Sequence, residues 1–237
     1  MKKVLLFLFC IAFATSLLAQ DVIKPEKQQK PGLATGVDIY NDFWRVKSSE
    51  MTPRGLNQGV DGFIVYNVPV DKTPLSFSIG TGISVHNLYS NCILQEDSNK
   101  TYYFSKIINL VPGKSTSYKR SKISVASWDF PLEFRYRNKG GLTFALGFKF
   151  GMNINSMTKY KGTDYTGMTN DNIKFKVKDL DNMVKWSYGF TARAGYKMVE
   201  FYYYYAITNI FTTNKGPEIA PMSLGISIRP MFMEGKK

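Results

Sequence analysis

Several stretches of the chain alternate between bulky apolar and small or polar residues, and this period of two constrains the fold most. In residues 75–86, one parity reads Leu, Phe, Ile, Thr, Ile, Val and the other reads Ser, Ser, Gly, Gly, Ser, His. Successive side chains of a β-strand point to opposite faces, so the pattern predicts strands with one apolar face. The clearest segments are residues 75–86, 142–151, 184–197 and 222–229. Less regular patterns predict strands at 35–46, 59–68, 123–137 and 201–210, although 59–68 is apolar on both parities and 201–210 is aromatic on both.

The connections between these eight predicted strands alternate in length. Residues 69–74, 138–141 and 198–200 are short connections, 47–58 and 211–220 are intermediate, and 87–122 and 154–183 are long. An even strand number with short turns at one end and long loops at the other is typical of outer-membrane barrels. We therefore predict an all-β fold, a closed eight-stranded antiparallel up-and-down transmembrane β-barrel, with its short turns and both termini in the periplasm.

A soluble barrel of the lipocalin kind is the alternative fold, and it would turn the apolar parity inward. The polar parity, however, is rich in glycine: Gly80, Gly82, Gly147, Gly151, Gly189, Gly195 and Gly225. A narrow eight-stranded lumen needs small residues beside long ones, whereas a strand facing water gains nothing from glycine. Lipid also accepts the uniformly large residues of the other parity. The pattern therefore favours hydrocarbon outside and a crowded polar lumen inside.

The N-terminal residues predict export. Lys2 and Lys3 precede an apolar run that is too short for a lasting membrane helix, which is the layout of a cleaved signal peptide. We assign residues 1–20 to the signal peptide, with cleavage on one side or the other of Gln20, residues 21–32 to a polar tether, and residues 33–237 to the barrel. The predicted location is integral in the outer membrane of a Gram-negative cell envelope. Cleavage leaves Cys92 as the single cysteine, so no internal disulfide is expected.

The same alternation places charged side chains inside the barrel. Buried charges must be paired, so we interpret this set as a structural plug of ion pairs, with Asp38 and Asp42 as further counter-charges. The alternative is a narrow polar path for ions or a small solute. The predicted lumen charges are Asp129, Glu133, Arg135, Arg137, Lys149, Lys185, Arg193, Lys197 and Arg229.

Three segments carry a resemblance to a known family. They are Phe-Ser-Ile-Gly-Thr-Gly at 77–82, Asp-Phe-Pro-Leu-Glu-Phe-Arg-Tyr at 129–136, and the closing strand Ser-Leu-Gly-Ile-Ser-Ile at 223–228. Over about residues 33–232 the chain resembles the PorT-like outer-membrane β-barrel proteins of Gram-negative bacteria. The resemblance implies an eight-stranded barrel of mostly unassigned role, with some members tied to protein secretion, and supplies no catalytic motif.

Charge and candidate chemistry limit the function. The net charge is +13, and an exported basic protein does not meet nucleic acid, so the expected partners are outer-membrane lipid, lipopolysaccharide and envelope proteins. The leading hypothesis is a structural or binding barrel that presents basic extracellular loops at 100–122 and 160–178. The alternative is a secretion- or transport-associated barrel with a narrow polar lumen.

An outer-membrane lipid enzyme is the third hypothesis. His86 is the single histidine, and no spacing singles out a nucleophile beside it. We expect a polar rim residue there, no enzyme activity, and no catalytic, cofactor or metal site. One histidine and one cysteine cannot supply a usual zinc ligand set.

Overall fold

The computed structural model describes residues 31–47, 51–107, 117–165 and 171–230. The predicted signal peptide and nearly all of the tether lie outside these residues. The strands are β1 (Gly32–Val46), β2 (Gln58–Pro69), β3 (Leu75–Tyr89), β4 (Cys92–Glu96), β5 (Tyr102–Lys106), β6 (Tyr118–Arg137), β7 (Leu142–Thr163), β8 (Asn172–Lys178), β9 (Trp186–Tyr196), β10 (Val199–Ala206) and β11 (Ile219–Ile228).

Eight of these strands form a closed antiparallel ring, which confirms the predicted fold class. The order around the ring is β1, β2, β3, β6, β7, β9, β10 and β11, and β11 pairs with β1 to close it. Strands that follow one another in the ring also follow one another in the chain, so the topology is up-and-down. The tight turns after β2, β6 and β9 lie at the end of the barrel that holds both termini of the ring, Gly32 and Ile228.

The bulky parity of the strands faces outward. Leu146, Phe190 and Ile226 are half or more exposed, whereas Asp38, Ser78 and Ser227 on the opposite parity are fully buried. Because a sheet presents alternate residues to its two faces, this arrangement leaves an apolar outer wall around a polar interior. Within the described ranges, no helix has the length and apolar composition that crossing a bilayer requires.

At the outer end, the structure differs from the predicted loops. Strand β9 begins at Trp186, and β6 and β7 remain paired with each other well above that residue. Strand β8 adds a third strand to this outer part of β7. Strand β10 ends at Ala206, before the predicted residue 210. These outer strands lie above the hydrocarbon, so their residues need not alternate between lipid and lumen, and the sequence pattern that marks membrane strands is missing from them.

A β-bulge lies where β7 leaves the membrane-spanning part of the barrel. Ser127 pairs with Asn153 and Ala126 with Asn155, which leaves Ile154 unpaired between them. One extra residue exchanges the two faces of the strand beyond it. Even-numbered residues of β7 therefore face outward below the bulge, and odd-numbered residues face outward above it.

The hairpin β4–β5 forms a cap across the mouth of the barrel. It leaves the ring between β3 and β6, and the Tyr102 amide donates to the carbonyl of Lys215 in the loop between β10 and β11, on the opposite side of the ring (3.1 Å). The Tyr102 ring lies 5.6 Å from that of Phe211, and burial raises the pKa of its phenol. Leu88 and Ile219 of the surrounding strands are buried in the same apolar cluster. The cap closes the outer end of the lumen with apolar side chains.

Candidate functional site

The interior nearest the periplasmic end is organised around Glu133. Its carboxylate accepts hydrogen bonds from Arg135 (2.9 Å), Arg193 (2.8 Å) and Arg229 (2.9 Å), which come from β6, β9 and the residue after β11. All four side chains are nearly fully buried. One carboxylate therefore joins three arginines from different sides of the ring.

Further ion pairs cross the lumen and extend this network. Arg193 makes a two-pronged contact with Asp38 of β1, with both Nη–Oδ distances at 2.7 Å. Arg135 contacts Glu200 of β10. Bidentate pairs of this kind fix geometry as well as charge. Because each pair joins strands three places apart in the ring, the lower lumen is filled by side chains.

A second group of ion pairs lies at mid-height. The Lys149 ammonium is 3.0 Å from Asp129 and 3.3 Å from Asp61, and all three residues are buried. It also lies 4.4 Å from the ring centre of Tyr204. The lysine from β7 thus bridges carboxylates from β2 and β6.

His86 lies above this level, beside a buried carboxylate. Its Nδ1 is 3.0 Å from Asp42 Oδ1, and the Ser223 hydroxyl donates to the same oxygen (2.6 Å). The ring also lies against Tyr40 and Tyr204, with centroids 5.2 and 5.7 Å away. His86 is therefore buried inside the barrel below the cap, whereas the sequence predicts a polar residue at the outer rim.

Little empty space remains between the ion pairs and the cap. A cavity of about 40 Å³ is lined by His86, Asp129, Lys149 and Tyr204 among others. Such a volume accommodates roughly three water molecules. It is a pocket of solvent size and not an open bore.

The structure places the predicted lumen charges in two groups. Asp129, Glu133, Arg135, Lys149, Arg193 and Arg229 are buried in the interior. Arg137 is partly buried at the periplasmic end, on the same side of β6 as Glu133 and Arg135. Lys185 and Lys197 are exposed, so the interior assignment of these two is not what the structure shows. Lys185 precedes β9 and Lys197 lies in the turn after it, where parity no longer defines a face.

Two interior carboxylates, Asp61 and Glu200, were missing from the sequence prediction. Both are nearly fully buried. The segment around Asp61 is apolar on both parities, and Glu200 falls at the predicted turn between β9 and β10. A useful signal was available for Asp61, since a single charged residue within an apolar strand marks the face that turns inward.

The interior is not where the positive charge of the chain resides. Its buried carboxylates are Asp38, Asp42, Asp61, Asp129, Glu133 and Glu200, against the buried cations Arg135, Lys149, Arg193 and Arg229. With six carboxylates facing four cations, the interior is acidic, although the whole chain carries a net charge of +13. The other lysines and arginines of the described residues are not buried in this interior.

Seven of those cations share one face of the extracellular sheet made by β6, β7 and β8, here called the cationic face. Cross-strand pairing puts them in rows, because directly paired residues point to the same side. The rows are Arg120–Lys161–Lys174 and Lys122–Lys159–Lys176, with Lys178 beside Met157.

The cations of this face lack acidic neighbours. Within the described residues, no carboxylate oxygen lies within 4.0 Å of any of the seven, whereas Lys47 on another surface pairs with Glu218. The pKa of Lys122 is lowered by partial burial and by the nearby charges of Arg120, Lys159 and Lys176. Like charges opposite one another destabilise a sheet, so the face favours an anion that would neutralise it.

The opposite face of the same sheet is apolar and packed. Tyr160 is buried there, and its ring stacks on Phe175 at 5.6 Å and meets Tyr165 edge-on at 5.3 Å. Ile93 of the cap and Ile107 just after it complete the cluster. This packing fixes the sheet and leaves the cationic face as its accessible side.

In the described part of the chain, no group of three or more His, Cys, Asp or Glu residues is arranged to hold a metal ion.

Comparison with known proteins gives a family match and a distant structural likeness. The family model described as outer membrane protein beta-barrel domain matches residues 41–212. A search of curated protein sequences found no match. Among solved structures, the chain is similar to Ail, the attachment invasion locus protein of Yersinia pestis, in complex with the heparin analogue sucrose octasulfate. That match has 8% identity and a TM-score of 0.39, and it covers 85% of this chain and 100% of Ail.

Proposed function

Because the chain belongs to the family of outer membrane protein β-barrel domains, and is thus an integral outer-membrane protein, we propose that it is a closed binding barrel. In this proposal the barrel is a rigid scaffold that holds the cationic face toward an anionic partner outside the cell. Rigid scaffolds commonly carry function on their extracellular segments. The narrower relationship to PorT-like barrels is part of the proposal and is supported by the three segments quoted above.

The observation that carries the proposal is the row structure of the cationic face. Lys122, Lys159 and Lys176 lie side by side on three strands with no acidic partner in the described residues. A set of solvated surface lysines would not need this alignment, which costs stability through repulsion. Alignment of like charges on a well-packed sheet instead suits recognition of a polyanion.

The filled interior supports binding over transport. Ion pairs cross the lower lumen, the mid-level cavity holds only about 40 Å³, and an apolar cap covers the mouth. Among the described residues, this packing favours a closed barrel over one that passes an ion or a solute. His86 contacts Asp42 inside the closed barrel, and we assign that pair a structural role rather than a catalytic one.

Two measurements test the proposal. The purified protein in a planar bilayer should give no single-channel current, and a steady conductance would favour the transport alternative. In detergent, the wild type should bind a soluble polyanion such as dextran sulfate, and K174Q/K176Q/K178Q should bind it at least about tenfold more weakly.

A matched control variant distinguishes the effect of where the lysines lie from the effect of the total charge of the protein. Lys72, Lys139 and Lys197 are exposed at the periplasmic end, so K72Q/K139Q/K197Q removes the same charge elsewhere. The proposal requires this variant to bind like the wild type. Equal weakening in both variants would mean that the net charge matters and not the cationic face.

A further inference from the structure

We propose that the cationic face binds the phosphorylated saccharide headgroups of glycolipids in the outer leaflet that surrounds the barrel. This inference rests on the proposed function and narrows its partner from any external polyanion to one anchored in the same membrane.

The cations lie on the side of the sheet that continues the lipid-facing wall of the barrel. Below the bulge, Phe148 and Phe150 of β7 face outward, and above it Lys159 and Lys161 take the same side because Ile154 shifts the parity. On β6, which has no extra residue at this point, Lys122 continues the outward series of Trp128 and Phe130. The cationic face is therefore the upward continuation of the wall that contacts lipid, and it looks sideways into the leaflet.

The cationic face lies just above a row of outward-facing tryptophans. Trp128 and Trp186 flank Met152 in one outward row, and the Trp186 ring stacks on Phe150 at 5.0 Å. Tryptophans of this kind mark the interface of a transmembrane barrel. Lys122 lies six residues farther along β6, which at about 3.3 Å per residue and the usual strand tilt is roughly 15 Å above that row. This is the zone of headgroups and attached sugars.

An aromatic ring borders the cationic face. Tyr89 of β3 is paired with Lys122, and its ring centre lies 5.8 Å from the Arg54 guanidinium and 5.4 Å from the Lys122 ammonium. The same ammonium donates to Asn87 Oδ1 at 2.8 Å, which fixes its position. Aromatic rings beside cations offer flat surfaces for sugars next to the charges that would meet phosphate. The combination fits a phosphorylated saccharide better than a simple anion.

The chemistry of the rows also fits several phosphates at once. Lysine ammonium groups act as compact point charges with rotatable donors, and phosphate accepts such bonds strongly. The two full rows and Lys178 are separated by two residues along the strand, which places cations about 7 Å apart along the strand and about 5 Å apart across it. A ligand with several phosphates on a sugar backbone can meet more than one row simultaneously.

The test uses the full barrel in nanodiscs that contain phosphatidylcholine and a fluorescent lipopolysaccharide. Enrichment of the glycolipid around the barrel is measured by energy transfer from the tryptophans. The variant K122Q/K159Q/K176Q removes the middle row, and K72Q/K139Q/K197Q is the periplasmic control. We expect the middle-row variant to lose roughly 100-fold in apparent affinity and the control to match the wild type.

Two further arms identify the source of the anion. Removal of phosphate from the lipopolysaccharide should abolish the enrichment, and about 1 M NaCl should weaken it strongly because it screens exposed charges. Equal enrichment of phosphorylated and dephosphorylated glycolipid, or an unchanged middle-row variant, overturns the inference. If dextran sulfate binding depends on the face but membrane glycolipid is not enriched, the binding barrel stands and the membrane-anchored partner is wrong. If neither ligand binds, both proposals fail.

Discussion

The barrel interior and the cationic face use the same basic residue types in opposite ways. In the interior, Arg193 and Lys149 each contact two carboxylates, because charges removed from water must be paired. On the cationic face, Lys159 lies between two other cations and has no acidic partner in the described residues. Water or a ligand can solvate charges there. The difference indicates that the interior charges hold the barrel together, whereas the outer ones remain available for binding.

The largest effect is expected from removing the carboxylate that joins three arginines. Glu133→Gln leaves Arg135, Arg193 and Arg229 buried without their shared counter-charge. Breaking a buried pair in this way typically costs about 3–5 kcal/mol. The loss in free energy of unfolding is measured by urea unfolding in lipid vesicles, with the folded fraction read from the heat-modifiable gel shift. A stability equal to wild type would mean that water reaches the interior and that the plug is not closed.

A smaller loss is expected from Asp42→Asn. The substitution keeps the shape but removes the charge that meets His86 and Ser223. Leaving buried donors poorly matched costs about 1–3 kcal/mol. The same unfolding assay measures the loss, and the double variant with His86→Ala should show a coupling between the two residues. Additive effects would show that the two side chains act independently.

On the cationic face, removing a charge should raise the stability of the barrel instead of lowering it. Lys159→Gln removes a cation opposite both Lys122 and Lys176, and relief of repulsion should stabilise the barrel by about 0.2–1 kcal/mol at low salt. The gain should disappear in about 1 M NaCl, where exposed charges are screened. Destabilisation at low salt would contradict the distinction between the two regions.

The smallest effect is expected at an exposed ion pair, which serves as the matched control for Glu133. Glu218→Gln makes the same chemical change where the partner, Lys47, is largely exposed. Surface pairs contribute about 0–1 kcal/mol, so unfolding should be nearly unchanged. A loss as large as that of Glu133→Gln would show that burial does not separate the two sites.

The sequence by itself determined the membrane-spanning part of the molecule. Alternation of period two identified most of the ring strands, apolar and aromatic runs identified the strands at 59–68 and 201–210, and the glycines of the inner parity matched a crowded lumen. At Gly147, an added Cβ would lie 2.6 Å from both the Leu132 carbonyl oxygen and the Thr191 hydroxyl. Lipid on one side and packed side chains on the other impose this pattern on each strand, so it can be read without knowing the strand's neighbours. Most of the interior charges follow from the same rule.

The arrangement of the extracellular strands and of the cap was decided only by the tertiary structure. The bulge at Ile154 sets which side of β7 bears Lys159 and Lys161, and a single extra residue leaves no mark in the composition. Pairing with β8 then brings Lys174 and Lys176 beside them, although the sequence shows only a basic loop. The cap likewise depends on contacts between the hairpin and distant loops. Outside the bilayer, the strands do not all have lipid on one face and the lumen on the other, so no alternating pattern is imposed on their sequences. Which face a side chain occupies and which strand pairs with which then depend on register and long-range packing.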